Sequence, residues 1–117
     1  MVSNENCLFC RIASGEIPAK KLHEDADVVA FHDINPQAPS HVLVIPRRHI
    51  DSLDEMSPTD TQTIGTTILR ATEIARTLRL HDEGYRLVIN NGEAAGQTVF
   101  HIHVHLIGGR KLGWPPG

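Results

Sequence analysis

The chain has 117 residues, 40% of them hydrophobic, with 11 Lys and Arg against 14 Asp and Glu for a formal net charge of −3. That length suits one domain, residues 1–117, with a core that needs no disulfide support. The charge contains no basic block of the kind that grips a nucleic-acid backbone, and no apolar run reaches membrane-spanning length, so neither a nucleic-acid polymer nor a membrane is an expected partner.

Met1 to Asn6 has neither the basic nor the apolar region of a secretory leader, and the expected location is the cytoplasm. A short helix is predicted from Cys7 to about Ala13, where Leu8, Phe9 and Ile12 share a face and Gly15 is placed to end it. Lys20 to His23 and Val28 to Phe31 read as a strand pair joined by the acidic turn Glu24 to Asp27. A loop punctuated by Asn35, Pro36 and Pro39 leads to a buried strand, His41 to Ile45, closed by Pro46. The one long helix is predicted to start with Ser57 as N-cap, Pro58 at the first helical position and Asp60 in the first turn. Along it Ile64, Ile68, Ala71, Ala75 and Leu78 recur at helical spacing and are expected to face a sheet. Asp82 to Gly84 turns into a strand over Tyr85 to Ile89, and a Gly-rich loop from Asn90 to Gln97 precedes a last strand that Gly108 and Gly109 end. The order helix, three strands, helix, two strands predicts an α+β fold with a mostly antiparallel five-stranded sheet, one long helix and one short.

The last strand carries the most information. Residues 101 to 107 read His-Ile-His-Val-His-Leu-Ile, and a strand's period of two puts His101, His103 and His105 on one face and Phe100, Ile102, Val104 and Leu106 on the other. A helix, at about 3.6 residues per turn, would scatter both sets. His101 and His105 lie roughly 13 Å apart at ~3.3 Å per residue, too far for one metal, so the row performs at least two jobs. His23, His32 and His81 have no such company and are read as ordinary structural residues.

Cys7 and Cys10 are too close in sequence to staple distant parts of a fold, and their spacing suits a metal or redox role. A thioredoxin-like site would need them at the end of a βαβ strand, which this N-terminus does not provide. Two added nitrogen ligands would complete a closed tetrahedral zinc site. Otherwise the pair are packed thiols.

The full pattern His101 to Ile107 resembles the signature of the histidine triad family, in particular its nucleotide-binding branch. Further segments resemble it too: Gly15 to Pro18, Phe31 to Ile34, Pro36 to His41, Val44 to Pro46, His49-Ile50, Asn90, Gly96-Gln97 and Trp114 to Gly117. The resemblance implies a hydrolase with a nucleoside-monophosphate site, His103 attacking the α-phosphorus to form a covalent nucleotidyl-histidine that water releases. It implies that His105 and His41 serve the developing charge and proton transfers, with Thr98 and Asn90 at the phosphate and leaving group and Gly96 and Gln97 lending backbone donors. Asp33 matches the carboxylate that holds the ribose, and Leu8, Phe9, Ile12, Phe31, Ile34 and Leu43 match the apolar walls around the base. Apolar walls grip a purine without reading its edge strongly, so discrimination between adenine and guanine is expected to be modest. In members with the same cysteine spacing, the resemblance implies a structural zinc on Cys7, Cys10, His49 and His101; others hold no metal, and catalysis needs none. It also implies a homodimer in which Trp114 reaches toward the partner's pocket.

The expected substrates are purine nucleotide phosphoramidates such as adenosine 5′-monophosphoramidate. A dinucleoside-polyphosphate hydrolase is the nearest rival, disfavoured by Phe100 before the triad and by the Trp-Pro-Pro-Gly tail. A nucleotidyltransferase would need a domain for its second substrate, and a nucleotide-binding scaffold with vestigial catalysis is the rival outside enzymes.

Overall fold

The computed structural model describes residues 4–117. Met1 to Ser3, half of the stretch that reads as lacking a leader, fall outside the described residues. The elements, in chain order, are α1 (Leu8–Ala13), β1 (Lys21–Glu24), β2 (Val28–His32), β3 (Ser40–Pro46), α2 (Thr61–Thr77), β4 (Tyr85–Val88) and β5 (Val104–Gly108). The five strands form one antiparallel sheet in the order β1-β2-β3-β5-β4, so β5, last in sequence, is inserted between β3 and β4. This is the predicted α+β architecture. Among the described residues, no helix is long and apolar enough to cross a membrane.

The pleat gives the sheet two buried faces. Val28, Ala30, Val42, Val44, Val104 and Leu106 pack against Ala71, Ile74 and Ala75 of α2. Val29, Phe31, Leu43 and Ile45 pack on the opposite face against Phe9, Cys10, Ile12 and Ala13 of α1. Fully burying each Val, Leu, Ile or Phe among them is worth about 1.5–3 kcal/mol, so both layers contribute substantially. α1 has six residues against seventeen in α2, and histidines occupy the face of β3 and β5 beside it.

Three expectations are corrected. Ser57 caps a 3-10 turn, Pro58–Asp60, through a capping box with Asp60, and α2 begins only at Thr61. The buried stripe of α2 runs through Thr67, Ala71, Ile74 and Ala75, leaving Ile68 exposed. Helical spacing fits either stripe; Thr67 can be buried because its hydroxyl donates to Thr63 O at 2.8 Å. The histidine segment enters the ladder only at Val104, opposite Val44, and Phe100 lies exposed rather than in the core. Pro46 at the end of β3 has no N–H to donate. Its carbonyl instead receives His101 Nε2–H at 2.7 Å, and Ile102 N–H turns to Ile50 O at 2.7 Å. The alternation persists outside the ladder, since Ile102 is buried in the core with Val104 and Leu106.

Candidate functional site

Adjacent strands bring His41 and His105 together. Leu43 lies opposite His105 in the β3–β5 ladder, and His41 shares a face with Leu43, so the two rings meet diagonally with His41 Nε2 2.9 Å from His105 Nδ1. The backbone sets the direction of this bond. Gln37 N–H donates to His41 Nδ1 at 3.0 Å, which puts the proton of the neutral His41 ring on Nε2. That proton is donated to His105 Nδ1, and the neutral His105 ring carries its own on Nε2. His103, just before β5, donates Nδ1–H to the carbonyl oxygen of His101 at 2.7 Å, so its Nε2 keeps a free lone pair. The His103 and His105 rings are 5.0 Å apart, and Phe9 packs edge-on against His103 at 5.1 Å. A nucleophilic nitrogen thus stands beside an N–H donor.

Burial favours the neutral form of the His103 and His105 rings. His103 lies below the ordinary imidazole range because it is withdrawn from water, an effect that its bond to His101 and the Asp33 carboxylate only partly offset. His105 is pushed down to about 4, first by burial and then by neighbouring His103 and His41. A neutral imidazole near pH 7 is the nucleophilic form.

Asp33 follows β2. Its Oδ1 accepts Asn35 N–H at 2.8 Å and its Oδ2 lies 3.4 Å from His41 Nε2. Phe9, Ile12, Phe31 and Leu43 are buried in the α1 layer, whereas Leu8 and Ile34 are exposed. In the Gly-rich loop, Gly96 adopts φ +101°, and since a Cβ there would meet Asn90 Nδ2 only at an ordinary 3.6 Å, it is the left-handed turn that calls for glycine. Thr98 is exposed. Gln97 is buried and its polar groups are engaged internally: Nε2 donates to Asp51 O at 2.8 Å and Val99 O at 3.2 Å, Oε1 accepts Gly92 N–H at 2.8 Å, and its N–H goes to Gly92 O at 3.0 Å. This geometry makes Gln97 the clasp of the loop, and because Gly96 N–H also goes to Glu93 O at 3.0 Å, neither residue offers the free backbone donor that the sequence leads one to expect. Trp114 is 82% exposed, with the Arg86 guanidinium 5.9 Å above its ring.

Cys7, Cys10, His49 and His101 form a separate cluster whose ligand atoms lie within 4.8 Å of one another, close enough to hold a metal ion. His101 Nδ1 is 3.4 Å from each sulfur and 3.2 Å from His49 Nδ1, which is itself 3.4 Å from Cys10 Sγ. Tetrahedral bonds of about 2.3 Å to sulfur and about 2.0–2.1 Å to nitrogen imply separations near 3.5 Å for S···N and near 3.3 Å for N···N. The protonation pattern agrees. His101 Nε2 donates to Pro46 O and His49 Nε2 bonds Asp51 Oδ1, so in neutral rings both Nδ1 atoms bring lone pairs to a 3.2 Å contact. Such a contact is repulsive unless a metal ion or a proton lies between. His101, pushed down to about 4 chiefly by burial, keeps that lone pair free, while burial pushes the Cys10 thiol up, which a metal would reverse. Asp33, His41 and His105 also gather ligand atoms within 4.8 Å. There a proton already joins the two imidazoles, an arrangement for moving protons.

The HIT domain model matches residues 14–112. The chain belongs to the histidine triad (HIT) family. An uncharacterized HIT-like protein of Synechocystis sp. is 48% identical over 113 residues, 97% of this chain and 98% of that protein. Two solved structures are similar: a HIT family hydrolase from Legionella pneumophila, with TM-score 0.94 and 48% identity over 96% of this chain and 100% of that one, and a HIT family hydrolase from Clostridium thermocellum, with TM-score 0.91 and 45% identity over 95% and 96%.

In this HIT chain, several groups that hold the site are invisible to motif reasoning because they are backbone atoms: Gln37 N–H on His41, Pro46 O on His101, His101 O on His103, and Asn4 N–H on Cys10 Sγ at 3.3 Å. Asp51 is a missed side chain, legible only as the carboxylate two residues beyond His49. His23 and His81 pair with Asp25 and Asp82 and belong to neither cluster.

Proposed function

We propose that this HIT protein is a hydrolase of purine nucleotide phosphoramidates, such as adenosine 5′-monophosphoramidate, working through a covalent nucleotidyl intermediate on His103. The observation that carries this reading is the pair of fixed tautomers, an unprotonated Nε2 on His103 beside an N–H on His105. His103 Nε2 attacks the α-phosphorus as the bond to the departing amine breaks. Its Nδ1–H, held on His101 O, steadies the positive charge that develops on the ring. As the phosphate anion binds beside the buried imidazoles, solvent supplies one proton to the His41–His105 pair, and His105 passes its Nε2 proton to the departing amine, leaving the pair neutral. Water then attacks phosphorus, returns a proton to His105 and frees His103 with the nucleoside monophosphate. Splitting one displacement into two in this way is the general advantage of covalent catalysis.

Asp33 is assigned to the ribose hydroxyls, Leu8, Phe9, Ile12, Phe31, Ile34 and Leu43 to the base, and Asn90 and Thr98 to the phosphate and leaving group, with Gly96 and Gln97 shaping their loop. Cys7, Cys10, His49 and His101 are assigned to a structural zinc that ties α1 to the end of β3 and to the histidine segment. A homodimer is supported by the edge strand β4, by Leu69 and Ile68 exposed on α2, and by the exposed Trp114. The deciving test is steady-state turnover: adenosine 5′-monophosphoramidate is cleaved with a kcat/KM far above that for diadenosine polyphosphates. The reverse order identifies a dinucleoside-polyphosphate hydrolase, and binding of AMP without turnover of either identifies a nucleotide-binding scaffold.

A further inference from the structure

The metal-type cluster depends on a residue outside it. His49 presents Nδ1 to the two cysteines and His101 only if its proton stays on Nε2, and the group facing Nε2 is the Asp51 carboxylate, 2.5 Å away. A carboxylate can only accept, so it selects this tautomer, fixes the ring's rotation and strengthens the opposite nitrogen as a ligand. Asp51 is itself anchored independently of its side chain. Its carbonyl accepts the Gln97 amide at 2.8 Å, and the preceding carbonyl, of Ile50, accepts Ile102 N–H at 2.7 Å. One residue therefore touches both the metal-type cluster, through its carboxylate, and the clasp of the Gly-rich loop, through its backbone.

We infer that Asp51 is a positioning residue for the metal centre, holding His49 as the Nε2–H tautomer with Nδ1 aimed at the ion, an inference that rests on the zinc assignment above. The backbone anchors allow the side chain to be changed with the segment in place. Two measurements test it on the full chain. First, zinc affinity is read by competition with a chromogenic chelator for the native protein, Asp51→Ala and Asp51→Asn. The Ala variant weakens zinc by about 10–100-fold, the range seen when such supporting partners are lost. The Asn variant, which keeps an oxygen acceptor, recovers part of that loss. Second, nitrogen-15 NMR of the metal-free protein above pH 7 reports the His49 tautomer: Nε2-protonated in the native chain and mixed in Asp51→Ala. Zinc affinity of Asp51→Ala within twofold of native, or a His49 tautomer indifferent to the substitution, overturns the inference. A native protein that takes up no zinc, yet whose His49 tautomer changes in Asp51→Ala, overturns the zinc assignment and upholds the hold of Asp51 on the ring.

Discussion

The ring of His103 is fastened to the backbone of His101 by a 2.7 Å hydrogen bond from Nδ1 to the carbonyl oxygen. His101 is fully buried and its own ring closes the cysteine cluster, so a residue of the metal-type site sets the orientation and tautomer of the central triad histidine. The two clusters are adjacent yet chemically separate. One offers lone pairs to a cation, and the other shares a proton in a hydrogen bond from His41 to His105.

Metal removal separates the two roles. Elemental analysis of protein purified without chelator is expected to find one zinc per chain, and none in the Cys7→Ser, Cys10→Ser double variant. An ion present at about 100-fold its dissociation constant adds about 2.7 kcal/mol, so chelation lowers the melting temperature by on the order of 10 °C. Equal zinc in the double variant, or a melting temperature indifferent to chelation, would leave the cysteines as packed thiols.

Acid stability follows from the buried rings. The folded pKa of His105 and of His101 is about 4, against an ordinary 6.5, so the unfolded chain binds more protons between these values. Stability is therefore complete above pH 6.5 and falls as the pH drops from 6.5 toward 4. Asp25, whose carboxyl is held below its usual 3.8 despite partial burial by bonds from His23 and Arg70, loses its contribution only at lower pH. Urea midpoints of the metal-free protein across this range are expected to decline, and His105→Asn is expected to flatten the slope. A midpoint constant down to pH 5 would contradict the assignment.

Much of this was legible in the sequence because periodicity and punctuation act locally. The alternation of residues 101 to 107 placed the histidines, and Pro18, Pro46 and Pro58 marked element boundaries. What was not legible depends on the partner strand or on backbone atoms. Nothing within 101 to 107 shows that Pro46, distant in sequence, ends the ladder at Val104. Ile68 and Thr67 differ by one position, and which faces the sheet is decided by packing and by Thr63 O. The tautomers of His41 and His103 depend on an amide and a carbonyl, groups that every residue carries and no motif records. The four cysteine and histidine residues were assembled through family resemblance, since spacing alone could not join His49 to Cys7.

The C-terminal tail should control specificity more than folding. Arg86 donates to Gly113 O and lies over the Trp114 ring, holding the tail against the edge of β4. Deleting residues 112 to 117 is expected to change the ranking of amine leaving groups while shifting the melting temperature little. Light scattering at micromolar concentration is expected to give a dimer. A monomer, or an unchanged ranking after deletion, would remove the tail from the site.

The most direct test is to trap the intermediate. Native protein mixed with adenosine 5′-monophosphoramidate and quenched rapidly in base is expected to gain the mass of one adenylyl group, located on His103 by fragmentation. His103→Asn is expected to show no adduct, to bind AMP, and to lose on the order of 10⁴ or more in turnover. An adduct on another residue, or a His103→Asn turnover within tenfold of native, would contradict His103 as the nucleophile.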